Sequence, residues 1–207
     1  MCRDSVGWVD RPSGDIEACR DAHARMTVLI TGADDSVVRR PSLLPDWTVG
    51  HVLTHLARNA DAMCKRVEGA MRGEVVEQYA GGAAGRAAEI EAGAARDARQ
   101  IVDDAVQRAA RVDDLFAGLS DECWTRPVKT VRGGEHPAAL LPYRRWREVE
   151  IHLVDLGMGI TSSDWPPELV DRMLPSLVAG LPDRADSREL VAWLLGRGSP
   201  PHLQPWA

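Results

Sequence analysis

No apolar run in this chain of 207 residues approaches the ~20 needed to cross a bilayer, so a transmembrane helix is not expected. The opening residues Met1-Cys2-Arg3-Asp4-Ser5 carry no apolar stretch, which argues against a secretory signal. Basic runs are missing as well. Net charge is −6, and arginines gather only at Arg144-Arg145-Trp146-Arg147, so nucleic acid is not an expected partner. Cysteine is sparse. Cys2, Cys19, Cys64 and Cys123 form no Cys-x-x-Cys pair and no dense framework, which excludes a disulfide scaffold. Reduced thiols in a cytoplasmic protein are the expectation. Runs of β-branched residues are short, so an extended sheet has little to build on.

What remains is helical periodicity. A first helix is predicted over residues 15–31, where Cys19, Ala22, Met26, Leu29 and Ile30 recur at three and four. Two prolines make residues 41–46 a loop. Thr48 is a good N-cap for a second helix to about residue 71, with Val52, Leu56, Ala60, Met63 and Val67 inward. Tyr79-Ala80-Gly81-Gly82 reads as a linker. A long third helix is predicted over residues 86–116, with Ile90, Ala94, Ala98, Ile101, Ala105, Ala109 and Val112 on one side. Residues 120–135 read as irregular, with a short extended piece at Val128 to Val131. Pro137 suits the first turn of a fourth helix, which Gly157 should stop. Beyond Ser162 two shorter helices are predicted: one from Trp165 to Leu181 kinked at Pro175, another over residues 188–195 capped by Ser187, then a coil tail. There is no internal repeat. The expected fold is all-α: a four-helix bundle over residues 12–160, with a small helical appendage over 161–207.

One constellation carries chemistry. Glu148 and His152 lie four apart and share a helix face. A histidine from the second helix would complete a two-His, one-carboxylate set with one position open, the ligand pattern of a catalytic zinc site. His55 and His51 both qualify, because with Asn59 they form a polar stripe at spacing four. Each of these groups has a plainer reading as a surface pair or a capping histidine. Their apolar neighbours favour the metal, since coordination satisfies buried ionisable groups. Asn59 and Asp155 are candidate hydrogen-bond partners of the ligands. Arg145 and Arg147 are candidate carboxylate binders or helix-surface pairs.

Two motifs resemble a known family. Trp47-Thr48-x-x-His51-x-x-x-His55-Leu56-Ala57-x-Asn59-Ala60 is similar to the first metal motif of the mycothiol-dependent maleylpyruvate isomerases, which belong to the DinB-like superfamily of metal-binding four-helix bundles. Arg145-x-Arg147-Glu148-Val149-x-Ile151-His152-x-Val154-Asp155-Leu156-Gly157 is similar to the second. The resemblance implies a DinB-like bundle with His55, rather than His51, joining Glu148 and His152 on zinc or another divalent metal. It implies that Arg86, matching a family arginine, holds a substrate carboxylate or a developing enolate oxygen. It also implies mycothiol as cofactor: a thiolate adds to maleylpyruvate, the former double bond rotates, and sulfur leaves to give fumarylpyruvate.

The family's sterol-carrier-like C-terminal domain resembles only the last piece here, residues 187–198, so a reduced appendage is expected. Two alternatives stand beside the isomerase. One is a zinc-dependent thiol S-transferase joining a low-molecular-weight thiol to a small electrophile. The other is a non-enzymatic metal-binding module with a partner at Trp165 and the proline-rich tail. Oligomeric state is left open.

Overall fold

The computed structural model describes residues 10–79, 81–130 and 133–204. The N-terminal Met1–Ser5 stretch, Cys2, Ala80 of the linker, Val131 of the extended piece and the final tail residues Pro205–Ala207 lie outside these. The chain divides into two compact units, Met1–Ser163 and Asp164–Ala207.

Four long segments form the bundle of the first unit. Helix α1 (Ser13–Ile30) packs on α6 (Leu141–Asp155) and α5 (Ala98–Gly118). Helix α3 (Val49–Arg72) runs against α5, α4 (Gly82–Ala94) and α6. The inward stripe expected on α3, Val52, Leu56, Ala60, Met63 and Val67, is buried. Each large apolar side chain in such a seam contributes roughly 1.5–3 kcal/mol. A short helix α2 (Asp35–Val38) precedes the loop into α3.

That loop closes on itself. Ser42 N–H donates to Trp47 O, and Pro41 bridges Thr48. Thr48 then caps α3, its hydroxyl accepting from His51 N–H while His51 Nδ1 accepts from the Thr48 N–H. This capping box uses a histidine where glutamate or glutamine is usual. It turns His51 toward the helix start.

The long third helix expected over 86–116 is two helices. Arg39 donates to the carbonyls of Ala94, Ala95 and Arg96, terminating α4. Asp97 accepts from Gln100 N–H and starts α5. Ala94 and Ala98 keep the spacing of four across the break, so the apolar stripe runs on unbroken and hides it.

The fourth helix also begins later than expected. Pro137 ends a two-stranded antiparallel hairpin, β1 (Pro127–Lys129) with β2 (Glu135–Pro137), in the register Val128 to His136. Helix α6 starts at Leu141, and Pro142 occupies its first turn, where a missing N–H costs nothing. The helix ends as expected: Gly157, at φ +62°, donates to Val154 O.

The second unit holds α7 (Pro167–Ala179), with Pro175 inside it, and α8 (Ser187–Leu194). Asp186, not Ser187, caps α8, because its carboxylate accepts from both Arg188 and Glu189 N–H. Arg184 and Gln204 exchange hydrogen bonds and tie the segment after α8 back to the turn before it. Trp165 is half-buried rather than exposed. Cys19, Cys64 and Cys123 are buried free thiols. No helix among the described residues is long and apolar enough to cross a membrane.

Candidate metal centre

His55 comes from α3 and is 1% exposed; Glu148 and His152 come from α6, one turn apart. His55 Nε2 lies 2.9 Å from Glu148 Oε1 and 3.0 Å from His152 Nε2. His152 Nε2 is 3.7 Å from the same carboxylate oxygen. Two helices far apart in sequence thus bring three donor atoms to one point. At zinc–ligand distances of about 2.0–2.1 Å, donors around a tetrahedral ion stand roughly 3.3 Å apart, so these separations suit one cation.

Proton placement supports the same fit. Arg86 Nη2 is 2.8 Å from His55 Nδ1. A guanidinium only donates, so Nδ1 is the acceptor and the ring proton of neutral His55 sits on Nε2. Burial, aided by the nearby His152 and Arg86, lowers His55 to about 4 against the pull of Glu148, which keeps the ring neutral. Burial would raise the Glu148 carboxyl, but hydrogen bonds with His152 and His55 outweigh it and hold Glu148 well below its ordinary value. Burial would also lower His152, yet Asp155 and Glu148 raise it to about 9, so without a cation its ring carries a proton on both nitrogens at neutral pH. Hydrogens on His55 Nε2 and His152 Nε2 therefore face each other across 3.0 Å beside a single carboxylate oxygen. Replacing those hydrogens by a divalent cation would satisfy all three donors together.

The surrounding side chains orient these three. Asp155 Oδ2 lies 2.8 Å from His152 Nδ1, which aims Nε2 at the centre. Asn59 Nδ2 donates to Glu148 Oε1 at 3.2 Å. The Trp47 ring packs against His55 at 5.7 Å between centroids. Arg86 lies over the Tyr79 ring, 5.7 Å from its centroid.

The other sequence candidates are placed differently. Arg145 is wholly buried, neither on the helix surface nor facing solvent, and donates to Leu56 O and Asn59 Oδ1 at 2.9 Å each. Arg147 is half-buried, with its guanidinium 6.0 Å from the Tyr143 ring centroid. His51 is taken up by the Thr48 cap and by Glu91 at 3.4 Å. Sequence reasoning missed His23, which accepts from Arg145, and Asp113, which pairs with His23. The available signal was His23 at four residues from Cys19, beside the inward stripe of α1.

Comparison with known proteins finds relatives of the same family and fold. The family model for the mycothiol maleylpyruvate isomerase N-terminal domain matches residues 19–157, a span that contains all three donors and Arg86. A solved mycothiol-dependent maleylpyruvate isomerase superposes with a TM-score of 0.74 at 28% identity, over 77% of this chain and 66% of that one. This chain therefore spans just under two thirds of that relative's length. A histidine-to-alanine variant of that isomerase matches equally well. YfiT from Bacillus subtilis, a probable metal-dependent hydrolase with an unusual four-helix bundle topology, matches at TM-score 0.56 and 17% identity. It covers 84% of this chain and 93% of its own, and at that identity it speaks for the fold alone. No curated protein sequence matches.

Proposed function

From the premise that the chain belongs to the mycothiol maleylpyruvate isomerase N-terminal domain family, with a DinB-like four-helix bundle, we propose that it is a zinc-dependent enzyme that uses mycothiol to isomerise maleylpyruvate or a close analogue. The observation that carries this reading is the convergence of His55, Glu148 and His152 from two helices on one point beside Arg86. His55 Nε2, His152 Nε2 and Glu148 Oε1 hold the cation, and imidazole with carboxylate suits zinc. When bound, a divalent cation in such a site lowers the pKa of a coordinating thiol and so supplies the thiolate that addition to an activated double bond needs.

The protein's own residues do the rest. With a cation held at Nε2, the one proton of the neutral His55 ring would sit on Nδ1 instead. Nδ1 then no longer accepts from Arg86. The freed guanidinium is suited to hold a substrate carboxylate or the enolate oxygen that develops during addition. Asp155 keeps His152 Nε2 directed inward, Asn59 steadies Glu148, and Trp47 shields the His55 ring from water. Arg147 is a further carboxylate partner in this reading. A cytoplasmic location belongs to the same proposal, as does the division into a bundle over 12–160 and an appendage over 161–207.

The test is an assay of zinc-loaded protein with maleylpyruvate and substoichiometric mycothiol. Formation of fumarylpyruvate over many turnovers of the thiol is expected. Thiol consumed one for one with formation of a conjugate assigns an S-transferase instead. No reaction with maleylpyruvate, with or without the thiol, removes the isomerase reading.

A further inference from the structure

A second group of chemistry-bearing side chains lies in the bundle apart from the three donors. Cys19, His23 and Asp113 place one ligand atom each within 4.8 Å of one another. By residue type this is a metal site; by surroundings it is not. Arg145 Nε donates to His23 Nε2 at 3.0 Å and so occupies the lone pair that a cation would need. The guanidinium is wholly buried, so water does not screen its charge from an incoming cation. Burial also holds the Cys19 thiol far above its ordinary value, which keeps the sulfur protonated.

We propose that Asp113, His23 and Arg145 form a buried positioning chain that fixes the side-chain amide of Asn59 and, through it, the ligand oxygen of Glu148. The proposal rests on the reading that His55, Glu148 and His152 hold a divalent metal. Each link has one allowed direction. Asp113 Oδ1 accepts from His23 Nδ1 at 2.8 Å, which leaves His23 Nε2 bare. That bare nitrogen accepts from Arg145 Nε and sets the plane of the guanidinium fork. Arg145 Nη1 donates to Asn59 Oδ1, so the amide cannot flip without setting donor against donor. Asn59 must then present its NH2 to Glu148 Oε1. The chain starts from a partly exposed carboxylate on α5, passes through α1, α6 and α3, and returns to α6 at a ligand.

The three residues are positioning residues: none touches the cation or the reacting atoms. Loss of a partner bonded directly to a ligand, as Asn59 is to Glu148, typically weakens metal affinity roughly 10–100-fold, and the chain acts through that bond. The experiment measures zinc affinity by chelator competition, with the visible spectrum of the cobalt-loaded protein as a second readout, for wild type, Asp113→Ala and Asp113→Asn. Alanine removes the acceptor. Asparagine keeps an oxygen for His23 and turns its NH2 to water. The expected result is about tenfold or greater weakening and an altered cobalt spectrum in Asp113→Ala, with Asp113→Asn close to wild type.

Equal affinity in all three proteins overturns the chain. Equal weakening in both variants also overturns it, because the carboxylate charge and not the hydrogen bond would then matter. Absence of zinc binding by wild type overturns both the chain and the metal reading beneath it. A nitrogen-15 spectrum of wild-type histidines tests the chain without any variant. The neutral His23 tautomer with its proton on Nδ1 is expected, and a proton on Nε2 contradicts it.

Discussion

At the scale of single residues, the proposed mechanism assigns holding a cation and handling a substrate to different side chains. His55, Glu148 and His152 point donor atoms at one another, whereas Arg86 reaches the site only through the far nitrogen of His55. Arg86→Ala is therefore expected to retain zinc at wild-type affinity and to lose most turnover. Parallel steady-state kinetics and metal titration check this, and unchanged kinetics would remove Arg86 from the mechanism.

His23 makes a separate expectation about pH. Burial lowers its pKa below 6.5, with Arg145 adding to the effect and the Asp113 hydrogen bond opposing it. Below pH 6.5 the unfolded chain binds more protons at this residue than the folded chain, so stability falls as pH drops through that value. Denaturant unfolding at about pH 7 and about pH 5 should show a larger loss for wild type than for His23→Phe. Equal losses would contradict a neutral buried ring.

At the scale of elements, the sequence exposed periodicity better than it exposed breaks. The stripes on α3 and on the α4–α5 segment were readable because burial follows the helical repeat. The break near Asp97 was not, because its cause lies in long-range bonds from Arg39 and Asp35 to the backbone of residues 94–98. Pro137 was misread for a similar reason. A proline at the end of a strand and one in a first helical turn look alike until a partner strand is known, and that partner is Pro127.

Helix α4 also carries a testable contact. Gly93 sits seven residues after Arg86, on the same face, and a Cβ there would run into Thr54 Cγ2, one residue before His55. Overpacking costs ~1–3 kcal/mol, against a helix-propensity gain of up to about 1 kcal/mol. Gly93→Ala is thus expected to lower the melting temperature and, by shifting α4, to reduce turnover more than zinc affinity. A variant as stable and as active as wild type would show that α4 and α3 have room to spare.

At the scale of the molecule, fold and candidate donors were legible together because one pattern specifies both. The apolar stripe of α3 buries the face beside His55, and the spacing of four on α6 puts Glu148 and His152 on one turn. The choice between His51 and His55 was not open to spacing alone. It turns on the Thr48 cap, which draws His51 to the helix start and leaves His55 one turn deeper, against α6. The chain from Asp113 to Asn59 was equally hidden, since it crosses four helices and has no local sequence pattern.

The proposed function requires one cation held by three side chains. The most direct measurement is the metal-to-protein ratio after dialysis against zinc, for wild type and for His55→Ala, Glu148→Ala and His152→Ala, with circular dichroism to confirm that each variant is folded. One zinc per chain in wild type and little or none in each folded variant is the expected result. Two zinc ions per wild-type chain, or one zinc retained when any of the three is removed, would contradict it.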